Sequence, residues 1–512
     1  MGNSKGGSGA ALFWHQSCQF IGASAAQPFF EGSKTMEMPN DIGTFHIIGI
    51  GGIGMSAIAE ILIDKGYSVQ GSDQKDSANV KRLRNKGVRV FIGHDAINLV
   101  GAKQVVISSA VKDGNPELEA ARKRGLPIIR RAEMLAELMR LYSTISITGT
   151  HGKTSTTSLI AHILTSADVD PTVIAGGIIQ DWGTNARLGQ GPWMVVEADE
   201  SDGTFVRLPT QIGVVTNADP EHLDYFGNVE TMNAAYESFM RNIPFYGLLI
   251  ACIDHPVVAD MITRLNLRLE GRPMFTYGEA QDADIRLVSL KADGHEMLMD
   301  VELSSRVTEG SPRRLEQLKL AAPGRHNALN SLAAIGVALA AGVDDDAIRT
   351  ALASFSGVKR RFQLTSQWNG VSIYDDYGHH PVEIAAVLEA AQAGAKGRVV
   401  AVFEPHRYSR IRNLYKEFCN CFGSADSVIV APLYSAGETP IAGIDQHSLA
   451  EGIRAAGHGS VLAIDDPREL TTLIHRYGRP GDLVICLGAG TSTEWANSLS
   501  IWLGEEPRMA GE

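Results

Sequence analysis

The sequence predicts an α/β protein of three domains with mostly parallel sheets, and three observations carry that expectation. Short apolar strands alternate with helical patterns from Thr44 almost to the C-terminus, and strands separated by helices build parallel sheets. Two of these strands break into glycine loops at the mouth of a helix, Gly49-Ile-Gly-Gly-Ile-Gly54 and Gly149-Thr-His-Gly-Lys-Thr154. The chain of 512 residues is also too long for one core, since a domain takes roughly 150 residues.

Composition narrows the class. A hydrophobic content of 44% and a charged content of 20% describe an ordinary globular chain. The net charge of −12 argues against a nucleic-acid scaffold but leaves room for a local basic pocket, so small phosphorylated ligands are expected. The five cysteines, at positions 18, 252, 419, 421 and 486, lack C-x-x-C spacing. They support neither a disulfide framework nor a zinc site and fit a reducing cytoplasm. No uncharged apolar run reaches the roughly 18 residues that span a bilayer, so neither a membrane nor a nucleic acid is expected as a partner. Residues 1–38, rich in Gly, Ser and Ala, read as a disordered extension, with Met36 or Met38 as the natural start.

The first domain is expected over 39–141. A strand from Phe45 to Ile48 runs into Gly49-x-Gly51-Gly52-Ile53-Gly54, a helix follows to about Lys65, and a second strand ends at Asp73. This is the dinucleotide fingerprint in its proper setting, and alone it predicts NAD. The physics is less particular, because a tight turn and a helix N-terminus hold any pyrophosphate. Further strands are expected near 87–91, 104–110 and 126–129.

The second domain, 142–356, opens on the strand that delivers Gly149, Thr150, His151, Gly152, Lys153, Thr154 and Ser155. Glycines let backbone N–H groups close on phosphate oxygens, Lys153 reaches the terminal phosphates, and the Thr154 hydroxyl suits Mg2+. The loop departs from G-x-x-x-x-G-K-[ST], because Ile147 stands where the first glycine belongs. A plain strand-to-helix turn with a solvated lysine is the bland alternative. Trp193 to Glu197 is an apolar strand ending in acids, and Gln211 to Asn217 delivers Asp219-Pro-Glu-His222-Leu-Asp224 to the same edge, where Mg2+ would be held. Residues 283–320 suggest an antiparallel flap, and Pro323 opens a long helix to Ala341. On that helix Asn327 and Asn330 share a face, and base reading or capping are equally open.

The third domain, 357–512, begins with a basic linker at Lys359-Arg-Arg361. Asn369-Gly370 marks a hairpin. Tyr377-Gly-His379-His-Pro, a helix, a strand at 398–403, and Pro405-His406-Arg407-Tyr-Ser-Arg410 follow. If Arg407 and Arg410 open a helix, they make a two-guanidinium grip suited to a carboxylate, although a solvated face is the commoner fate of such a pair.

Taken in order, Gly149–Thr154, Glu197–Asp202, Gly324–Asn330, Lys359–Gln363, Asp375–Pro381 and Pro405–Arg410 resemble the Mur ligases from about Thr44 to the final helix. The resemblance implies an N-terminal Rossmann-like domain for a UDP-sugar, a central P-loop ATPase domain, and a C-terminal Rossmann-like domain that admits an amino acid. It implies ATP and Mg2+ as cofactors, UDP-N-acetylmuramate and L-alanine as substrates, and a monomer or weak homodimer. The implied chemistry is phosphorylation of the muramate carboxylate, then attack by the alanine amine on the acyl phosphate.

The implied roles fall on particular residues. Gly51, Gly52, Ile53 and Gly54 hold the UDP pyrophosphate, with Asp73 and Ser109 near the uridine. Lys153 neutralises phosphates, Thr154 and Glu197 hold a first Mg2+, and His222 a second. Asn327 and Asn330 read adenine beside His326, and Arg361 swings in from the third domain. Asn185 and Arg187 belong on the sugar-lactyl side. Arg407 and Arg410 take the alanine carboxylate, with Tyr377, His379 and His406 shaping the pocket and His379 available to take the amine proton. Some relatives place a carbamoylated lysine after the His222 motif; no lysine lies between His222 and Met240 here, which leaves either Glu237 as its substitute or a looser site.

Two rivals stand beside this reading. Within the family, a ligase joining the same sugar to a recovered peptide lacks the Pro405–Arg410 pattern. Outside it, an NAD-dependent oxidoreductase leaves Lys153 and Thr154 unexplained.

Overall fold

The computed structural model describes residues 42–108, 110–293 and 296–504, so the N-terminal extension and Ser109 lie outside the described residues. In the first sheet the strands run in the order Arg89–Ile92, Val69–Asp73, Thr44–Ile48, Ala102–Ile107 and Ile128–Arg130, all parallel. The strand order reverses between Thr44–Ile48 and Ala102–Ile107. A crevice opens where a parallel sheet reverses in this way, which puts the Gly49–Gly54 loop at its rim.

The second sheet has ten strands. From one edge they are Arg313–Leu320, Glu296–Leu303, Ile285–Asp293, Met274–Gly278, Leu248–Cys252, Ile212–Val215, Ser143–Thr148, Trp193–Glu197, Thr172–Ile179 and Thr184–Arg187. The loop-bearing strand Ser143–Thr148 lies inside the sheet, parallel to Ile212–Val215 on one side and Trp193–Glu197 on the other. Both neighbours therefore release their acid-rich ends beside the glycine loop. The stretch expected as a flap is a continuation of this sheet. Ile285–Asp293 pairs parallel with Met274–Gly278 and antiparallel with Glu296–Leu303. The reason is its alternation: Leu287, Met299, Val301, Leu303, Leu315 and Leu318 are buried in one core with the helix Arg325–Ala340.

The third sheet runs Gln363–Trp368, Val371–Asp376, Leu483–Leu487, Val399–Phe403, Ser427–Val430, Val461–Ala463, with only the first pair antiparallel. Asn369 and Gly370 turn that hairpin with φ of 46° and 82°, the double positive φ that an Asn-Gly type I′ turn requires. The linker is fastened at both ends. Val358 bridges Ile179 on the central sheet, and the Tyr377 N–H donates to the Arg360 carbonyl at 2.7 Å.

Four strands carried no clear sequence signal. Thr172–Ile179 is interrupted by Gly176-Gly177, Thr184–Arg187 and Val461–Ala463 are short, and Met274–Gly278 ends in glycine. Among the described residues no helix is long and apolar enough to cross a membrane.

Candidate active site

The helix Lys153–Ser166 starts at Gly152, which adopts φ 80° and leaves the first helical N–H groups without a side-chain cap. These free donors face the space a phosphate would fill. Lys153 folds over its own loop, donating to the Gly149 carbonyl at 2.6 Å and to Glu200 Oε1 at 2.9 Å. Burial alone would depress the lysine, but the charges of Glu200, Asp199 and Glu197 raise its pKa above the ordinary value. Lys153 is thus a committed cation with an anion already in hand.

The acids form two groups. The Thr154 hydroxyl donates to Glu197 Oε1 at 3.0 Å, while Glu197 Oε2 accepts from the Gly176 N–H at 2.6 Å. Burial pushes the Glu197 carboxyl up. On the other side of Lys153, ligand atoms of Asp199, Glu200 and His222 lie within 4.8 Å of one another. Glu200 is 1% exposed and its Oε2 has no hydrogen-bond partner. A buried carboxylate oxygen lacking a donor, beside a histidine and a second acid, fits a divalent cation. Glu237 does not join this group; it lies on the outer helix Val229–Asn242 and pairs with Arg264 at 2.8 Å. Asp199 and Glu200 stand with His222 in its place.

Asn330 lies against the phosphate loop, where a Cβ on Gly152 would sit 2.7 Å from its Oδ1. The Asn327 side-chain amide donates to the Pro323 carbonyl at 2.7 Å, and the helix start at Gly324 has no side-chain cap. Burial, followed by the Arg361 charge, lowers His326 to about 4 and keeps it neutral.

The C-terminal domain reaches this edge through the linker at Arg361 and the starts of two helices, Pro381–Gly394 and Tyr408–Asn413. Glu383, in the first turn of Pro381–Gly394, lies 3.2 Å from His151 Nδ1 and 4.0 Å from Arg361 Nη1. His151 completes a relay to Asp219 at 3.4 Å, and Asp219 meets His255 at 3.2 Å. Arg361 also stacks 5.3 Å over Tyr377. His379 Nδ1 faces the Tyr377 carbonyl at 2.9 Å, so that nitrogen carries the hydrogen and Nε2 is the free base. Burial depresses the His379 pKa, which keeps the ring neutral.

Arg410 lies in the short helix Tyr408–Asn413, donates to Glu221 at 2.8 Å, and approaches His406 Nδ1 at 3.1 Å. His406 in turn stacks on Tyr434 with ring centroids 5.4 Å apart. Arg407 precedes that helix with φ 68°, so the two arginines do not share a helical face. Burial, followed by the charges of His379, Arg410 and Arg407, lowers His406 to about 4.

In the N-terminal domain Asp73 Oδ2 accepts from the Gly51 N–H at 2.9 Å and fixes the first glycine loop. Gly52 precedes the helix Ile53–Asp64, again without a side-chain cap, and Gly54 faces Arg131. Asn185 reaches across to the Ile53 carbonyl at 3.1 Å, which ties the central domain to that loop. Arg187 is not brought to the site. It pairs with Asp170 at 2.6 Å and with Thr165 at 3.0 Å, near the far end of the helix that starts at Lys153.

Sequence reasoning brought Glu200 and Glu221 to this edge among the acids of its strand ends without giving either a role, and it missed Glu383 and His255. Glu200 and Glu221 carried a signal, since both stand in acid-rich strand ends. Glu383 carried none, because its partner His151 lies 232 positions away.

Comparison with known proteins covers most of the chain. Residues 44–143 match the family described as Mur ligase family, catalytic domain, residues 147–338 the Mur ligase middle domain, and residues 360–490 the Mur ligase, glutamate ligase domain. The chain is 56% identical over 464 residues to the UDP-N-acetylmuramate--L-alanine ligase of Xanthobacter autotrophicus, covering 91% of this chain and 98% of that one. It is 57% identical over 461 residues to the protein of the same name from Parvibaculum lavamentivorans, covering 90% and 93%. The crystal structure of the UDP-N-acetylmuramate-alanine ligase of Thermotoga maritima superposes with a TM-score of 0.74 at 28% identity, covering 90% of this chain and 98% of that one. With three Mur ligase family models matched in order along the chain and relatives more than half identical over most of its length, this chain belongs to the Mur ligase family.

Proposed function

We propose that this chain joins the lactyl carboxylate of UDP-N-acetylmuramate to the amine of L-alanine in the cytoplasm, with ATP converted to ADP and phosphate, as a step in peptidoglycan precursor synthesis. The observation that carries the reading is the 56% identity over 91% of the chain to a ligase of that name. The site geometry supports it. A carboxylate resists amine attack because oxide is a poor leaving group, whereas its acyl phosphate loses phosphate readily.

Each residue then has a task. The free N–H groups at Gly152 and the Lys153 ammonium hold the ATP phosphates, with Lys153 exchanging Glu200 for phosphate oxygens. Thr154 with Glu197, and His222 with Asp199 and Glu200, are the groups that would hold Mg2+, which supplies charge neutralisation where two anions meet. Arg361 adds a cation from the third domain. The Gly49–Gly54 loop, Asp73 and Asn185 orient the nucleotide sugar. Arg410, with Arg407 beside it, takes the alanine carboxylate. His379, neutral and with Nε2 open, accepts the proton the ammonium must lose before it attacks.

The test is phosphate release from the full-length enzyme across a panel of amino acids. Release that needs both UDP-N-acetylmuramate and L-alanine is expected. Turnover independent of either would overturn the reading.

A further inference from the structure

Glu221 stands one residue before His222 on the central domain, yet both hydrogen bonds of its carboxylate cross to the third domain. Oε1 accepts from Arg410 Nη2 at 2.8 Å and from Arg410 Nε at 3.3 Å, and Oε2 lies 3.7 Å from His380 Nε2. The pair is enclosed, with side chains 12% and 13% exposed. Among the described residues, nothing on its own domain holds the Glu221 carboxylate. An acid that only stabilised its own domain would pair within it, as Asp219 does with the His151 and His255 rings. Glu221 instead fills the guanidinium fork that the proposed function gives to the amino-acid carboxylate. The two groups are the same chemically, a planar carboxylate with two acceptor oxygens, and one fork cannot serve both.

We propose that Glu221 is a specificity-determining place-holder. Its carboxylate occupies Arg410 until the α-carboxylate of the incoming amino acid displaces it. The proposal rests on the reading of Arg410 as the carboxylate grip. It links amino-acid entry to the segment Asp219–His222, on which Glu221 stands. That segment carries Asp219, which is bonded to the phosphate-loop His151, and His222 of the acidic cluster. A ligand without a carboxylate gains no purchase on Arg410 and leaves Glu221 in place.

The experiment compares the full-length wild type with Glu221→Gln, which keeps the shape and removes the charge. The alanine KM is expected to fall by about threefold to tenfold, because a neutral amide competes less well than a carboxylate for a guanidinium. The KM for UDP-N-acetylmuramate should stay where it is. In an Arg410→Lys background the same substitution should no longer lower the alanine KM. If Glu221→Gln fails to fold, Glu221→Asp keeps the charge at shorter reach and should lie on the same side, with a smaller fall. Titration of L-alanine into enzyme loaded with UDP-N-acetylmuramate and a non-hydrolysable ATP analogue reads binding without turnover and should tighten in parallel. An unchanged or raised alanine KM in either variant overturns the place-holder. A wild type that makes no product from alanine overturns the proposed function instead, so the two failures are distinct.

Discussion

Glu117 shows how far one residue's surroundings can move its chemistry. It is fully buried in the N-terminal domain, accepts from Ser72 Oγ at 2.5 Å and from Asn98 Nδ2 at 2.6 Å, and lies 3.1 Å from His94 Nδ1. Burial opposes its charge, but the hydrogen bonds from His46, Ser72 and Asn98 prevail and bring its carboxyl from 4.5 to about 2. A depressed folded-state pKa means stability that is present above about pH 4.5 and lost as pH falls through about 2, worth roughly 3 kcal/mol. Glu117→Gln should therefore lower the N-terminal domain's calorimetric transition at pH 7, and the gap from wild type should narrow by pH 3. An equal gap at both values would refute the linkage. Nothing in the sequence around Pro116 announced this network, because its members come from four separate elements. Lys153, Thr154, Glu197 and His222 were legible because strand, loop and acid follow one another locally, whereas Arg187 misled because its Asp170 partner could not be seen in the pattern.

The phosphate loop is an element whose shape depends on one glycine. Gly152 needs its left-handed φ of 80°, and a Cβ there would also meet Asn330 Oδ1 at 2.7 Å. The backbone strain alone is roughly 1–2 kcal/mol, and moving the loop by even part of an ångström displaces Lys153. Gly152→Ala should cut ATP-dependent phosphate release by about a hundredfold. Gly66→Ala makes the control, since Gly66 has φ 88° with nothing within 4 Å of its Cβ position, and should lose stability but keep activity. Equal activity losses in the two would show that strain, not placement, is what matters. At this scale the sequence was legible where an apolar run ended in a glycine loop or a cluster of acids, as at Ser143–Thr148 and Trp193–Glu197. It was opaque where glycine interrupted the run, as in Thr172–Ile179, or where only three residues made the strand, as in Val461–Ala463. The terminal turn Gly488-Ala-Gly490 also gained its meaning only from the fold, where Glu404 accepts from the N–H groups of Gly490 and Thr491 at 3.0 and 2.9 Å and caps the final helix.

Across the whole molecule, charge pairs join the central and third domains beside the apolar contact that Val358 makes with the central core. The His151–Glu383 and Arg410–Glu221 pairs span that seam. Burial would lower His151, but its hydrogen bonds to the Asp219 and Glu383 carboxylates raise it to about 9. The support it lends to closure is therefore complete below about pH 6.5 and lost as pH rises through about 9. Glu383→Ala should enlarge the radius of gyration in small-angle scattering at pH 7, and an unchanged radius would show that the seam is held elsewhere. The alternation of strands and helices revealed three α/β units but not this seam, because contacts between residues more than two hundred positions apart leave no periodicity. The position of Ser143–Thr148 inside its sheet has one more consequence, for biosynthesis. Its flanking strands, Trp193–Glu197 and Ile212–Val215, are translated later. At roughly 5–20 residues per second the emerging nucleotide cradle waits several seconds on the ribosome for its lateral support, so slowed translation across that interval should leave the nascent chain open to proteases and chaperones.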